Sequence, residues 1–179
     1  MEIEERIPLL DEILEPWRQR LGPDFRGYRN HVYRVVHFAL ALRDHDEEER
    51  RKVVVAGAFH DLGIWSAGTF DYLAPSIALA ESWLRAEGLE AWVPEVARTI
   101  ELHHKLTPHR DPRFPLVEAF RRADLVDVSL GVVRFGLPRA FLRGVRQRFP
   151  DAGFHRLLLR LTARWWRRHP ANPVPVLRW

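Results

Sequence analysis

Four places in the chain put imidazole and carboxylate groups where they could act together: His31, the pair His60-Asp61, the pair His103-His104, and Asp124. The doublet closes the run Val53-Val54-Val55-Ala56-Gly57-Ala58-Phe59, which reads as a buried helix, and Gly63 follows shortly after. Two such groups at the end of a buried helix are costly to desolvate unless something pairs with them. A divalent cation is one such partner. Adjacent side chains on a regular helix point about 100° apart, so both can turn to one ion only at a helix end or bend. Gly63 makes a bend there feasible. The chain has no cysteine, which excludes disulfides and thiolate sites and leaves His, Asp and Glu as the available ligands. A lone histidine is most often structural; the signal is the ensemble.

The elements that must carry these groups read as helices throughout. Residues 3–20 place Ile3, Ile7, Leu10, Ile13, Leu14 and Trp17 at helical spacing, with Pro16 as a kink or an end. A turn at Leu21-Gly22-Pro23-Asp24 precedes a helix from Tyr28 to Arg43. Asp44-His45-Asp46 breaks and caps it. Glu47-Glu48-Glu49 open the next helix, which is expected to run to about Asp61. Residues 64–74 read as a loop, and Pro75 as the start of a helix to about Ala86. Further helices are expected from Pro94 to His103, from Leu116 to Val128, from Pro138 to Arg148 and from Phe154 to Arg168. Pro170, Pro173 and Pro175 give an extended tail. No segment shows strand alternation, so the fold class is all-α.

The length of 179 residues fits one domain with its own core. The acidic start is unlike a secretory signal and no run is long enough to span a membrane, so a cytoplasmic location is the expectation. The net charge of +4 hides an asymmetry: residues 134–179 hold 11 Lys+Arg and one acidic residue, Asp151. A basic half can meet nucleic acid, an anionic membrane or an acidic partner. The plainer reading is that it packs against the acidic half of its own fold or of a second copy in a homo-oligomer.

The order His…His-Asp…Asp resembles the HD-domain superfamily of metal-dependent phosphohydrolases. Tyr28-Arg29-Asn30-His31-Val32-Tyr33-Arg34-Val35 is similar to that family's first-ligand helix, and Ala56-Gly57-Ala58-Phe59-His60-Asp61-Leu62-Gly63 to its doublet helix. Ile100-Glu101-Leu102-His103-His104-Lys105 resembles its paired-histidine helix, and Ala119-Phe120-Arg121-Arg122-Ala123-Asp124 its last-ligand helix. The resemblance covers residues 27–128 and leaves a helical extension over 134–179. It implies a multi-helix bundle in which His31, His60, Asp61 and Asp124 hold one divalent ion, drawn from Mn, Fe, Ni, Co, Zn or Mg. It also implies a small phosphorylated substrate, such as a nucleotide or a phosphate ester. Asp61 or Asp124 would accept the proton of water, and His104 would contact substrate or donate a proton. Arg34 and Lys105 would clamp phosphate, with Arg121 and Arg122 as further candidates.

Two positions depart from the family pattern. Tyr72-Leu73-Ala74-Pro75-Ser76 has no histidine where two-metal members place one, and Ile64 stands where a Lys or Glu is common. Asp71 and Tyr72 are candidate replacements, and Asp127 either orients a ligand or lies on the surface. His37, His45, His109, His155 and His169 fall outside the pattern, and Trp65 lines either the pocket or the core. Two alternatives therefore stand beside hydrolysis. One is a non-catalytic ligand- or protein-binding module. The other is nucleic-acid binding through the arginines and aromatics of residues 141–168.

Overall fold

The computed structural model describes residues 2–172 and 174–177. Its α-helices are α1 Pro8–Leu14, α2 Arg18–Leu21, α3 Phe25–Leu42, α4 Glu47–Phe59, α5 Gly63–Ser66, α6 Leu73–Ala86, α7 Val93–Leu102, α8 Pro115–Val128, α9 Arg139–Arg148 and α10 Phe154–Arg168. The described residues form no β-strand, and the fold is all-α. No helix among them is long and apolar enough to cross a membrane.

The centre of the bundle is α3, which packs against α4, α8, α9 and α10. Thirteen of its 18 residues are buried. Apolar residues take most of these positions. The polar ones each find a partner, as buried polar groups must. Asn30 Nδ2 donates to the Pro150 carbonyl at 2.7 Å, His37 Nδ1 to the Tyr33 carbonyl at 2.7 Å, and Arg34 Nε to Asp127 at 2.6 Å.

The first helix departs from its expected span. It begins at Pro8, because Ile7 is extended (φ −116°, ψ 98°) and proline is preorganised for a first helical position. It gives way at Glu15–Trp17 to a 3₁₀ turn that contains Pro16. A capping box between Asp46 and Glu49 starts α4. That helix ends at Phe59, two residues before the span expected from sequence. Residues 60–62 form tight turns instead, with Leu62 N–H donating to the Phe59 carbonyl at 3.1 Å and Ile64 N–H to the Asp61 carbonyl at 3.0 Å. The doublet thus sits in the bend between α4 and α5.

Gly63 serves that bend through close approach. A Cβ there would lie 2.3 Å from the Tyr72 carbonyl oxygen and 2.8 Å from Ser76 Oγ. The Gly63 N–H donates to Ser76 Oγ at 2.9 Å, so the missing histidine at position 76 is a buried serine that ties α6 to the bend.

The basic half divides in two. Phe141, Leu142, Val145, Phe149, Phe154 and Leu157 enter the same core cluster as α3. Arg146 pairs with Asp127 and Arg148 with Glu5, so this part does pack against acidic residues of its own chain. The arginines further along α10 are exposed. Beyond α10, Val176 is buried with Ile64, Phe70, Tyr72 and Leu73. Pro173, part of the expected tail, lies outside the described residues.

Candidate metal centre

Four elements deliver the chelating groups to one buried point. His31 comes from α3, His60 and Asp61 from the bend after α4, His103 and His104 from the end of α7, and Asp124 from α8. His31, His60, Asp61, His103 and Asp124 are buried, and His104 is partly so.

The histidine tautomers follow from their outer partners. His31 Nδ1 faces Asp127 Oδ2 at 2.8 Å. His60 Nδ1 faces the Gly57 carbonyl at 2.8 Å, and His103 Nδ1 faces the Ile100 carbonyl at 2.7 Å. A carbonyl or an ionised carboxylate can only accept, so each Nδ1 carries the hydrogen and each Nε2 is a bare lone pair in the neutral ring. The Nε2 atoms of His31 and His60 nevertheless point at each other across 3.0 Å. A proton between them would make one ring an imidazolium, and burial pushes His60 down to about 3. A cation between them would satisfy both.

The carboxylates complete the set. Asp61 Oδ2 lies 3.7 Å from His31 Nε2 and 3.4 Å from His60 Nε2. Asp124 Oδ1 lies 3.6 Å and 4.0 Å from the same two nitrogens. Two imidazoles and two carboxylates suit a divalent first-row ion. His31, His60 and Asp61 offer atoms that all lie within 4.8 Å of one another, and so do Asp61, His103 and His104. Asp61 is shared by both trios. Its Oδ1 faces His103 Nε2 at 3.5 Å, and neither atom has a hydrogen-bond partner. These two orphaned buried atoms point the same way as the facing lone pairs: the residues fit a metal.

Electrostatics separate the two carboxylates. Burial works to raise Asp61, but His60, His103 and His31 outweigh it and hold the group below the usual range. Burial dominates at Asp124 and pushes it up to about 6. At His103 the burial penalty is outweighed by Asp61 and Asp124, and the ring is raised. Burial and neighbouring His103 lower His104. Tyr72 is raised well above the usual phenol by burial and by Asp61, so it keeps its proton. Its hydroxyl meets His104 Nε2 at 2.8 Å, while His104 Nδ1 faces Asp124 Oδ2 at 3.3 Å.

Two residues expected to clamp phosphate are engaged elsewhere. Arg34 does not reach the centre: its Nε and Nη2 donate to Asp127 at 2.6 and 2.8 Å, and its Nη1 to the Phe149 carbonyl at 2.9 Å. The reason is geometric, since Arg34 lies one turn along α3 from His31 and meets α8 one turn past Asp124. Lys105 turns its ammonium to the Thr107 hydroxyl in the exposed loop after α7. Arg121 and Arg122 both bond Glu118. Of the candidate replacements near the doublet, Tyr72 reaches the site. Asp71 is exposed, and its N–H bonds Thr69 Oγ1 in a turn.

Behind the ligands, Asp127 is fully buried and supports His31. Phe154 stacks on the His31 ring with centroids 4.1 Å apart. His155 Nε2 meets the Asp127 carbonyl at 3.0 Å. Nothing in the spacing of the sequence announces Phe154 as a neighbour of His31. His103 was legible only as half of a pair. Trp65 is neither ligand nor deep core. It packs 4.9 Å from the Tyr28 ring and donates its indole N–H to Asp24 Oδ2 at 3.2 Å.

No curated protein and no solved structure matches the chain. A family model described as HD domain matches residues 28–129, more than half of the 179. That span holds every chelating group of the centre. Members of this family are in general divalent-metal-dependent phosphohydrolases. By that match, and by the His/Asp cluster it encloses, the chain belongs to the HD domain family.

Proposed function

We propose that this protein hydrolyses a phosphate ester of a small molecule, with a divalent ion held by His31, His60, Asp61 and Asp124. The observation that carries the reading is the pair of facing Nε2 lone pairs at 3.0 Å, ringed by two buried carboxylates. A bound divalent ion supplies Lewis acidity to the phosphoryl oxygens and makes water a better nucleophile at neutral pH. The protein's own groups do the rest. Asp124 receives the proton of the attacking water. His104, a neutral ring between Tyr72 and Asp124, relays that proton from Asp124 to the leaving oxygen as the phosphorus–oxygen bond breaks. His103 faces Asp61 and orients the phosphoryl side. The trio Asp61, His103 and His104 also favours a second ion, and the metal-to-protein ratio decides between one and two.

The test is phosphate release from a panel of nucleotides and of phosphate mono- and diesters with added Mn²⁺, Ni²⁺ or Mg²⁺. Metal-dependent release that falls to background in His60→Ala/Asp61→Ala is expected, and release unchanged in that variant overturns the reading. Ion binding to the native state alone should raise stability by about 2.7 kcal/mol at 100 times Kd. A second reading, a non-catalytic binding module, is favoured by Ile64. It packs with Phe70, Tyr72 and Leu73 and gives no acid or cation at that place. Metal binding without release of phosphate from any panel member would support it.

A further inference from the structure

The arginines beside the centre are occupied, but the five of α10 are exposed and have no ion-pair or hydrogen-bond partner among the described residues, and three of them border one cavity. Arg160, Arg164 and Arg168 recur every fourth residue, so they lie along one side of the helix over about 12 Å. They border a cavity of about 670 Å³ between α10 and the loop after α5. That volume is typical of a small-molecule site. Trp65, Phe70 and Trp165 supply aromatic walls. The cavity has one carboxylate, Asp24, which already accepts from the Trp65 indole at 3.2 Å. None of the metal-centre residues lines it.

The walls are fixed before any ligand arrives. Arg20 donates to the carbonyls of Trp65 and Ser66 at 3.0 and 2.8 Å and pins the loop. The Trp165 indole N–H donates to the Asn172 carbonyl at 2.8 Å, and its ring stacks on His169 with centroids 4.0 Å apart. Phe70 is buried against the cluster that includes Val176.

Three neighbouring guanidinium groups repel one another until an anion bridges them, and guanidinium is the side chain best matched to phosphate oxygens. Their spread suits more than one phosphate. The aromatic walls suit a flat ring, because base stacking is favourable and tolerant of base identity. We propose that this cavity binds a nucleoside diphosphate or triphosphate, with its phosphates on Arg160, Arg164 and Arg168 and its base against Trp65 and Phe70. The three arginines lie outside the residues that match the HD domain, while the Ile64-to-Phe70 side of the cavity lies inside them. The site does not depend on hydrolysis at the metal centre. Its concave shape favours a small molecule over a polymer that would run along the helix.

The test is calorimetric titration of the full chain with ATP, tripolyphosphate and adenosine, at low salt and in EDTA, so that the metal centre's chemistry does not enter. Saturable binding of ATP with a stoichiometry near one is expected. Tripolyphosphate should bind more weakly and adenosine more weakly still. Arg164→Glu/Arg168→Glu should weaken ATP by about tenfold or more, the loss of at least one charge-assisted contact. These positions are exposed, so the unfolding midpoint should not move. A folded His60→Ala/Asp61→Ala chain should keep its ATP affinity. The proposal is overturned if ATP does not bind, if the charge-reversed chain binds it equally, or if binding vanishes with the doublet. It is also overturned if tripolyphosphate binds as tightly as ATP. Retention on single-stranded DNA or phosphatidylserine vesicles without saturable ATP binding would overturn it too, and would assign the arginines to a polymer or a membrane surface instead.

Discussion

The Asp127 carboxylate accepts from His31 Nδ1, from Nε and Nη2 of Arg34 and from Nη2 of Arg146, entirely out of solvent. Burial works to raise it, yet His31 and Arg34 hold it below the usual carboxylate range. Asp127 therefore stays charged and fixes the ring of a ligand it stands behind. Asp127→Asn is expected to weaken metal binding about 10–100-fold. It should also cost about 3–5 kcal/mol of stability, because Arg34 is left buried without its counter-charge. Calorimetric titration with Mn²⁺ and urea unfolding check the two halves separately. A second residue makes a pH prediction. His37 donates from Nδ1 to the Tyr33 carbonyl and accepts at Nε2 from the Glu4 N–H at 3.0 Å, so the fold needs it neutral. Burial lowers its pKa below the ordinary 6.5, with Glu4 and Arg50 as the nearest charges acting in opposite directions. The unfolded chain then binds the proton first. Stability from this group is fully present above about pH 6.5 and is lost as the pH falls toward the lowered value. Urea midpoints of the native chain should drop more between pH 7.5 and pH 5 than those of His37→Gln. Equal drops would remove His37 from the account.

At the scale of elements, the bend between α4 and α5 decides whether the doublet can converge. Gly63→Ala forces a Cβ onto the Tyr72 carbonyl and the Ser76 hydroxyl, one of them backbone that cannot rotate away. A loss of about 1–3 kcal/mol is expected, the usual range for overpacking. The thermal midpoint should fall even with chelator present. A midpoint that holds would mean that α6 gives way freely. The sequence shows that a bend is needed here, since His60 and Asp61 on a straight helix diverge. It does not show why the glycine is there. Close approach between α5 and the start of α6 is a tertiary fact with no local signal, whereas the capping box at Asp46 and Glu49 is local and readable. The same contrast explains the first helix. Hydrophobic spacing from Ile3 onward looks helical, but Pro8 and the extended Ile7 delay the start.

For the whole molecule, the HD match ends at residue 129, but the groups that support the centre do not. Phe149 and Pro150 lend carbonyls to Arg34 and Asn30, Arg146 reaches Asp127, and Phe154 covers His31. Cutting the chain after residue 133 removes these groups together with the apolar residues of α9 and α10 from the core. The shortened chain is expected to lose cooperative thermal unfolding by circular dichroism and to lose metal affinity with it. A shortened chain that unfolds at the native midpoint would show the extension to be an accessory. That these His and Asp groups converge was legible because four short contexts stand in a recognisable order. Arg34 misled because sequence gives its distance from His31 and not the carboxylate waiting for it on α8. The basic extension was legible as charge alone. Which arginines pair inward and which stand free depends on packing that a count cannot contain.

Gly57 and Ile100 contribute two of the last carbonyls of α4 and α7, which helix geometry leaves without a donor of their own. His60 and His103 bond those carbonyls through Nδ1 while presenting Nε2 to the centre. Each ring thus terminates a helix as well as facing the candidate metal centre. A descendant that abandoned its ion and its reaction would still be under selection to keep imidazole at both positions. Histidines retained at these helix ends are therefore evidence of an architecture inherited intact. Evidence of continuing chemistry has to be sought at Asp61 and Asp124, whose buried charges have no such second employment.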